Sequence, residues 1–278
     1  MGTDSRVRAT MTLSICAIVA VHNEATHLRR VLSELDEQDV DVAVIDHGSE
    51  DGATDVIDEF RHRVVAWQWR PYSGEFSLSD QLEWKREVID GLSHDWVVHQ
   101  DADERFGHAD STSSLRAAIE QEAAEGYTIV DFNEFVFLPR PGSRGRSADF
   151  IDRLYGYYFF RPGPNRLNRA WRRDLEVSWG SSGGHRLTGG RGNCSPVRHE
   201  LRHFIGMSEE HLQQKYASRQ FSQRDLKNGW HRNRIGLNPL QLAVPEQARW
   251  LIPWNEGHMP LRTDLPVGKH YWQWASLA

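Results

Sequence analysis

The chain has 278 residues, of which 39% are hydrophobic and 26% are charged, a balance that supports one large globular domain or two small ones. Its net charge of −6 argues against a nucleic-acid-binding protein, and two cysteines are too few for a disulfide scaffold. The apolar runs are shorter than a membrane span and the first residues contain no signal-peptide hydrophobic region, so we expect a soluble, cytoplasmic protein.

Strands and helices alternate over the first hundred residues. The continuous apolar run 14–21 is typical of a parallel strand that is covered on both faces. Apolar residues then recur at helical spacing, with Leu28, Val31 and Leu35 on one face. We expect Ser79 to cap the third helix. The alternation predicts an α/β fold that binds ligands at the carboxyl ends of strands at 14–21, 40–45, 64–69 and 96–101.

The second half of the chain has a different character. We predict a helix at 115–124 and a long strand at 128–138. The stretch 140–173 is rich in arginine and is interrupted by Gly and Pro, which predicts mostly loop. One helix is predicted over 207–228, with Ser208 as its cap. The tail beyond residue 235 is rich in Pro and Trp, and core packing is the simplest role for these tryptophans.

An acidic cluster follows the fourth predicted strand. Asp101 and Asp103 lie two residues apart, so an extended backbone points both side chains the same way. Two carboxylates with open coordination positions suit Mg²⁺ or Mn²⁺ shared with a diphosphate. Because such a triplet occurs by chance in many chains, a solvated acidic turn or a helix N-cap is the alternative interpretation.

Three ordered motifs resemble those of glycosyltransferase family 2. The run 17–24 resembles the family's first strand and loop, and the run 44–54 resembles its second-strand motif. The acidic run 101–104 falls where the family has its Asp-x-Asp motif. Lys85 lies on the preceding helix, where the family often has a basic residue. Three motifs in this order are more specific than any one of them.

The resemblance implies an α/β fold of the GT-A type, in which helices flank a mostly parallel, Rossmann-like sheet and a C-terminal extension lies on the acceptor side. It covers the first half of the chain well, is thinner as far as residue 235 and is absent from the tail. The implied division is an N-terminal tail 1–12, a GT-A domain 13–235 with a nucleotide-sugar-binding half 13–106 and an acceptor-side half 107–235, and a Trp-rich extension 236–278.

The same resemblance implies donor-binding roles. Asp46 matches a carboxylate that bonds the nucleotide base, His22 matches an aromatic residue that packs on the base, and Glu24 matches an acid near the base and ribose. The alternative for Glu24 is an electrostatic role at a helix N-terminus. His22 replaces the usual Tyr and His47 replaces the second Asp of a pair, which leaves the base open. The expected nucleotide-sugar-binding residues are Ala20, His22, Glu24, Asp46, Lys85, Asp101 and Ala102.

The resemblance also implies a divalent cofactor, Mn²⁺ or Mg²⁺. Asp103 is expected to hold the ion directly, and Asp101 to contact the ion, its bound water or the ribose. A third ligand is needed from beyond this strand, and neutral imidazole suits Mn²⁺. We favour His203, because its segment resembles the Leu-x-His-aromatic sequence before a late helix in relatives. The alternatives are His185 and His199.

Sugar transfer with inversion needs a general base to deprotonate the acceptor hydroxyl. The expected catalytic residues are Glu134, on the strand after the acidic run, and His185, with Glu176 as a further candidate. His185 ends the Gly-rich segment 180–185, whose glycines allow close approach of backbone to a ligand. A flexible turn is the alternative for that segment, and an ordinary strand-surface position is the alternative for Glu134.

Basic residues of the second half are candidates for phosphate binding. Arg166 and Arg169 are favoured within the arginine-rich stretch, because guanidinium groups match the geometry of phosphate. Lys215 and Arg219 are four residues apart and would share a helix face. The alternative is that these residues are solvated charges of a loop and of an exposed helix face.

These observations predict a metal-dependent glycosyltransferase that moves a hexosyl or related sugar from a nucleoside diphosphate sugar to an acceptor hydroxyl, with inversion. The sequence does not distinguish a saccharide, a lipid-linked compound and a small molecule as the acceptor. It also does not determine the oligomeric state or whether the protein contacts a membrane surface. One alternative is a sugar-phosphate nucleotidyltransferase, which needs a Gly-rich, Arg-containing loop where this chain has 22–24. The other is a non-catalytic nucleotide or carbohydrate binder with a GT-A fold.

Overall fold

An eleven-stranded sheet organises the computed structural model, which describes residues 13–110, 114–163, 167–254 and 260–276. The strands are β1 (Ile15–Val21), β2 (Asp41–Asp46), β3 (Val64–Trp69), β4 (Trp96–Asp101), β5 (Glu104–Gly107), β6 (Ile129–Pro139), β7 (Leu154–Phe160), β8 (Asn168–Arg172), β9 (Cys194–Phe204), β10 (Ile252–Pro253) and β11 (Pro266–Val267). The α-helices are α1 (Ala25–Glu37), α2 (Ala53–Glu59), α3 (Leu78–Asp90), α4 (Leu115–Ala124), α5 (Glu209–Ala217) and α6 (Gln223–Lys227). The predicted tail 1–12 and the candidate Arg166 lie outside the described residues. Among the helices described, none is both long and apolar enough to cross a bilayer.

The N-terminal half of the sheet is parallel. β1 pairs with β2 on one side and with β4 on the other, and β3 extends the sheet beyond β2. Helices α1, α2 and α4 cover the face of β1 that carries Ala17 and Val19, and α3 covers the face that carries Cys16 and Ile18. Both faces are therefore buried, which explains the continuous apolar run. The predicted α/β fold, with helices flanking a central sheet, is confirmed.

The second half of the sheet is mixed, and most of its strands were not predicted. The stretch 140–173, expected to be mostly loop, contains β7 and β8, which run antiparallel on either side of β6. β8 also pairs antiparallel with β4 and so joins the two halves of the sheet. The unpredicted β9 runs parallel to β6 and antiparallel to β5. β9 therefore connects the segment after the acidic run with the long strand β6.

The helix predicted over 207–228 is divided into α5 and α6. Ser208 caps α5 as expected, since its Oγ accepts a hydrogen bond from the His211 backbone N–H at 3.0 Å. The chain then leaves the helical conformation, because the Phe76 N–H donates to the Gln220 carbonyl at 2.8 Å and the Ser222 N–H donates to the Phe76 carbonyl at 2.9 Å. Pairing with a distant segment thus replaces hydrogen bonds within one helix.

The start of α3 also differs from the prediction. Ser77 caps this helix, because its Oγ accepts the Asp80 backbone N–H at 3.2 Å. The Ser79 hydroxyl, expected to be the cap, instead donates to Asp225 Oδ1 at 2.6 Å. Asp225 also accepts the backbone N–H groups of Leu78 and Ser79, at 2.6 and 3.0 Å. A buried carboxylate from α6 therefore stabilises the positive end of α3.

The tail tryptophans pack in the core, as the sequence analysis expected. Trp272 and Trp274 are buried in a cluster with Tyr158 of β7 and Val136 of β6. The Trp272 indole N–H donates to the Asn233 carbonyl at 3.1 Å. The tail is thus fixed against the outer part of the sheet.

Replacement of Asp225 by alanine should lower the free energy of unfolding by about 3 kcal/mol, because three buried donors at a helix N-terminus lose a charged acceptor. Urea-induced unfolding followed by circular dichroism measures this loss. The matched control is Asp58→Ala at an exposed position of α2, which should change stability by less than about 0.5 kcal/mol. Equal stability of the two variants would contradict the prediction.

Candidate active site

A cavity of about 340 Å³ opens where strands β1 and β4 end. The parallel register places Ala20 beside Asp101 and Val21 beside Asp46, so the residues that follow β1, β2 and β4 meet at one edge of the sheet. Ligands of α/β proteins bind at this edge. The second half of the chain completes the wall, with residues from β9, α5 and the tail.

Eight of the predicted site residues line this cavity, and three do not. The lining residues are Ala20, His22, Glu24, Asp101, Asp103, Glu134, His185 and His203. The other three are Asp46, Lys85 and Ala102. Asp46 is fully buried, and its Oδ1 accepts the Ser49 backbone N–H at 2.9 Å, so Asp46 shapes the turn that follows β2.

Lys85 holds Asp101 in place. The Lys85 side chain is 1% exposed, and its Nζ donates to the Gln100 carbonyl at 2.7 Å and to Asp101 Oδ1 at 2.9 Å. Burial lowers the pKa of Lys85, while the Asp101 carboxylate opposes that shift. Lys85 therefore orients an acidic side chain of the cavity wall and is not among the residues that line the cavity, and its contact with the donor stays a prediction.

Asp103 is the centre of a buried charge network. The Lys215 Nζ donates to Asp103 Oδ2 at 2.6 Å and forms a second ion pair with Glu24. His203 Nε2 lies 3.2 Å from the same Asp103 oxygen, and His203 Nδ1 lies 2.8 Å from Glu134 Oε1. Acidic and basic groups thus alternate, which offsets the cost of removing each charge from water.

Burial and paired charges shift the pKa values of this network in opposite directions. Burial raises the pKa of Asp103, but Lys215 and His203 outweigh it and hold that pKa well below its usual range. Burial also raises the pKa of Glu134, and its hydrogen bond to His203 lowers it to about 2. Burial lowers the pKa of His203, but Asp103 and Glu134 raise it well above its usual range. His203 is therefore an imidazolium that donates from both ring nitrogens.

The expected metal ligands are not arranged as a metal centre. Asp101 Oδ1 is bound by Lys85, and Asp103 Oδ2 is bound by Lys215. Both ring nitrogens of His203 are engaged by carboxylates, Nε2 by Asp103 and Nδ1 by Glu134. Within the described part of the chain, no group of three or more His, Cys, Asp or Glu residues could hold a metal ion. The predicted set of Asp101, Asp103 and His203 therefore does not fit Mn²⁺ or Mg²⁺ as it stands.

Two of the alternative candidates lie outside the cavity. His199 is buried, with Nε2 3.0 Å from Glu122 Oε1 and with Nδ1 accepting the Ala109 backbone N–H at 3.2 Å. Glu176 lines a separate depression on the surface. The contacts of His199 are those of a structural histidine.

His22 and Tyr72 form an aromatic surface in the cavity wall. Their stacked rings have centroids 4.0 Å apart, and His22 Nδ1 lies 2.6 Å from the His47 carbonyl oxygen. Gly48, at φ +64°, makes room for this pair, since a Cβ there would lie 2.8 Å from the Tyr72 backbone nitrogen. The sequence analysis missed Tyr72, because it lies in a loop after β3 that no motif marks.

The Gly-rich segment positions His185 at the cavity. Gly183 and Gly184 have φ values of +63° and +83°, a region that favours glycine. A Cβ on Gly184 would lie 2.6 Å from His99 Cε1, so a larger residue would displace His99, a cavity residue that the sequence analysis missed. Among the described residues, the His185 imidazole has no hydrogen-bond partner.

Three arginines line the cavity in two different ways. Arg169 is buried, and its guanidinium donates to Glu104 Oε1 at 2.8 Å. Burial raises the pKa of Glu104 to about 7, against the lowering effect of the Arg169 charge. The guanidiniums of Arg219 and Arg234 lie 5.6 and 5.5 Å from the Tyr216 ring centroid, and neither forms an ion pair with a described acidic side chain. The sequence analysis missed Arg234, which no motif marks.

The tail supplies a cavity residue that the sequence analysis also missed. The His270 ring stacks on Phe160, with centroids 4.1 Å apart, and its Nδ1 lies 2.9 Å from the Tyr158 hydroxyl oxygen. No local pattern marks His270, because its position depends on the packing of the tail against β7.

Comparison with known proteins gives a partial match. No model of a known protein family matches the chain. A stretch of 96 residues is 27% identical to a curated protein of Rickettsia conorii that is named an uncharacterized glycosyltransferase. The match covers 34% of this chain and 31% of that protein, so the chain spans about a third of the length of its relative.

Two solved structures show a limited likeness. TarS of S. aureus in complex with UDP is 11% identical, the match covers 70% of this chain and 61% of TarS residues 1–349, and the TM-score is 0.40. A mannosyltransferase of Pyrobaculum calidifontis in complex with GDP-Man and Mn²⁺ is 21% identical, with 48% and 37% covered and a TM-score of 0.34.

Two buried histidines near the cavity predict a loss of stability in acid. Burial lowers the pKa of His27 to about 3 and that of His211 to about 2. In the unfolded chain both titrate near pH ~6.5, so the unfolded state binds more protons below that pH. The stabilisation is complete above pH ~6.5 and is lost as the pH falls towards the folded values. Between pH 7 and pH 5, each histidine should lower the free energy of unfolding by about 2 kcal/mol.

Urea-induced unfolding at the two pH values measures this effect. His27→Leu should remove the contribution of one histidine from the difference between pH 7 and pH 5. His62→Leu, at an exposed position, is the matched control and should leave the contribution of the buried pair unchanged. If His27→Leu keeps the full difference, burial of this neutral histidine does not set the acid sensitivity.

Proposed function

We propose that the chain is a glycosyltransferase of the GT-A type that transfers a sugar from a nucleoside diphosphate sugar to an acceptor hydroxyl. One observation carries the proposal: His22, Glu24, Asp101 and Asp103, which the family 2 resemblance assigns to the donor site, line one cavity at the ends of parallel strands. The partial match to a protein named a glycosyltransferase supports the same conclusion.

In this proposal the donor lies along the edge of the sheet. The nucleotide base packs against the stacked rings of His22 and Tyr72, which offer an apolar face. Asp101, whose side chain is 38% exposed while Lys85 holds one of its oxygens, accepts a hydrogen bond from the ribose. Asp46 acts from behind this surface by fixing the turn after β2.

The reaction is a single displacement at the anomeric carbon. The acceptor oxygen forms a bond to that carbon while the bond to the diphosphate oxygen breaks, and the electron pair leaves with the diphosphate, so the configuration inverts. The acceptor proton passes to a general base. We assign this role to His185, whose imidazole lines the cavity and has no partner among the described residues. Glu134 is engaged by His203, and its pKa of about 2 makes it a weaker base than His185, whose pKa burial lowers to about 4.

The metal cofactor, the acceptor substrate and the cellular location of the protein stay predictions. Because the expected ligand set does not fit a metal ion, no step above uses Mn²⁺ or Mg²⁺, and metal dependence is a question for the assay. A saccharide, a lipid-linked compound and a small molecule stay the candidate acceptors, and cytoplasmic location and peripheral membrane contact stay expectations.

Binding of nucleoside diphosphates tests the donor site. We expect at least one of UDP, GDP, TDP and CDP to raise the thermal midpoint of unfolding, because a ligand of the native state stabilises it. Asp101→Asn should weaken that binding by about tenfold. Asp174→Asn, at an exposed position in the separate surface depression, is the matched control and should bind as the parent does.

The outcomes of this experiment separate the candidate functions. If none of the four nucleotides stabilises the protein, the proposal is wrong. Binding without any turnover of the corresponding nucleotide sugars would instead indicate a non-catalytic binder. Release of pyrophosphate from a nucleoside triphosphate and a sugar phosphate would indicate a nucleotidyltransferase.

Replacement of the general base should separate catalysis from binding. For hydrolysis or transfer of the nucleotide sugar, His185→Gln should lower kcat by about 100-fold and change nucleotide Kd by less than about threefold. Glu134→Gln should lower kcat less than His185→Gln does, with a similar nucleotide Kd. The reverse order of the two variants would identify Glu134 as the base.

A further inference from the structure

Asp103, which the sequence predicts to bind a metal ion directly, already holds an ammonium group. Lys215 Nζ donates to Asp103 Oδ2 at 2.6 Å and pairs with Glu24, and the Lys215 side chain is only 8% exposed. A divalent ion bound by these carboxylates would have to displace Lys215. That exchange would leave a buried ammonium without its partners, which is strongly unfavourable.

Two further cations face the cavity without acidic partners. Arg219 follows α5 directly, and its guanidinium lies 4.8 Å from the Phe76 ring centroid and 5.6 Å from that of Tyr216. Arg234 lies 5.5 Å from the same Tyr216 centroid. In the described part of the chain, no Asp or Glu forms an ion pair with either arginine. Stacking holds both guanidiniums in place and leaves their N–H groups for an anion.

We propose that side-chain cations, and not a bound divalent ion, neutralise the donor diphosphate in this site. This inference rests on the proposed function. Lys215 forms ion pairs with Asp103 and Glu24. Arg219 and Arg234 then supply the positive charge that a diphosphate requires. When the anomeric C–O bond breaks, the electron pair stays on the diphosphate, where these guanidiniums stabilise the added charge, and the acceptor proton goes to His185.

Calorimetry of nucleotide binding with and without metal tests the inference. The full chain is treated with EDTA and titrated with UDP, GDP, TDP and CDP, and the titrations are repeated with added Mn²⁺. We expect the Kd of the best-bound diphosphate to change by less than about threefold. A Kd weakened more than about tenfold in EDTA and restored by Mn²⁺ would overturn the inference while supporting the proposed function. Absence of binding in both conditions would refute the proposed function itself.

Arg219→Gln shows whether the diphosphate contacts this cation. Because Arg219 has no acidic partner in the described chain, its loss leaves no buried carboxylate unpaired and the variant should fold. Its affinity for the diphosphate should fall about tenfold in EDTA, and its affinity for the matching nucleoside should not change. Lys227→Gln, exposed on α6, is the matched control. An unchanged diphosphate affinity, or equal weakening of nucleoside and diphosphate, would contradict the inference.

Lys215→Met shows whether the ammonium keeps a metal ion out. Its removal frees Asp103 and Glu24, so Mn²⁺ should tighten diphosphate binding by this variant about tenfold, unlike the parent. The thermal midpoint of unfolding establishes that the variant is folded before titration. A folded variant that responds to Mn²⁺ no more than the parent would contradict the role given to Lys215.

Discussion

A carboxylate that is removed from water needs a positive neighbour, because an unpaired buried charge costs several kcal/mol. This constraint governs the edge of the sheet where β1 and β4 end. The pairs there are Asp101 with Lys85, Asp103 with Lys215, Glu104 with Arg169 and Glu134 with His203. The acidic cluster is therefore a set of matched charges with fixed orientations, and its chemistry depends on which cations face the cavity.

The same pairing ties the second half of the chain to the first. The acids of the cluster lie in or directly after predicted strands. Three of their four cations, Lys215, Arg169 and His203, come from elements that are remote in sequence, and Lys85 on α3 is the exception. Lys215 lies 112 residues from Asp103, and Arg169 lies 65 residues from Glu104. Strands β8 and β9 and helix α5 must therefore pack as they do for Asp103, Glu104 and Glu134 to be neutralised.

Features that depend on local sequence were predicted, whereas features that depend on contacts between distant segments were not. β1 and α1 were predicted because a continuous apolar run and a helical spacing are local patterns, and the acidic residues follow directly from a predicted strand end. β9 was missed because its burial depends on β5 and β6, which are distant in sequence. The ion pair of Lys85 with Asp101 was not predicted for a related reason: the position of a lysine on a helix does not show which carboxylate it contacts. Tyr72 and His270 lie outside any motif and enter the cavity through tertiary packing alone.

The cations of the cavity that have no acidic partner determine which ligand charge the cavity favours. Asp101, Asp103, Glu104 and Glu134 each have a cation, whereas Arg219 and Arg234 have no acidic partner in the described chain. A neutral saccharide would leave both guanidiniums without a counter-charge, while a diphosphate would complete the pairing that the protein leaves unfinished. The charge of the cavity therefore favours an anionic ligand, and the two arginines that would pair with it lie beside Tyr216, on the side of the cavity that the second half of the chain supplies.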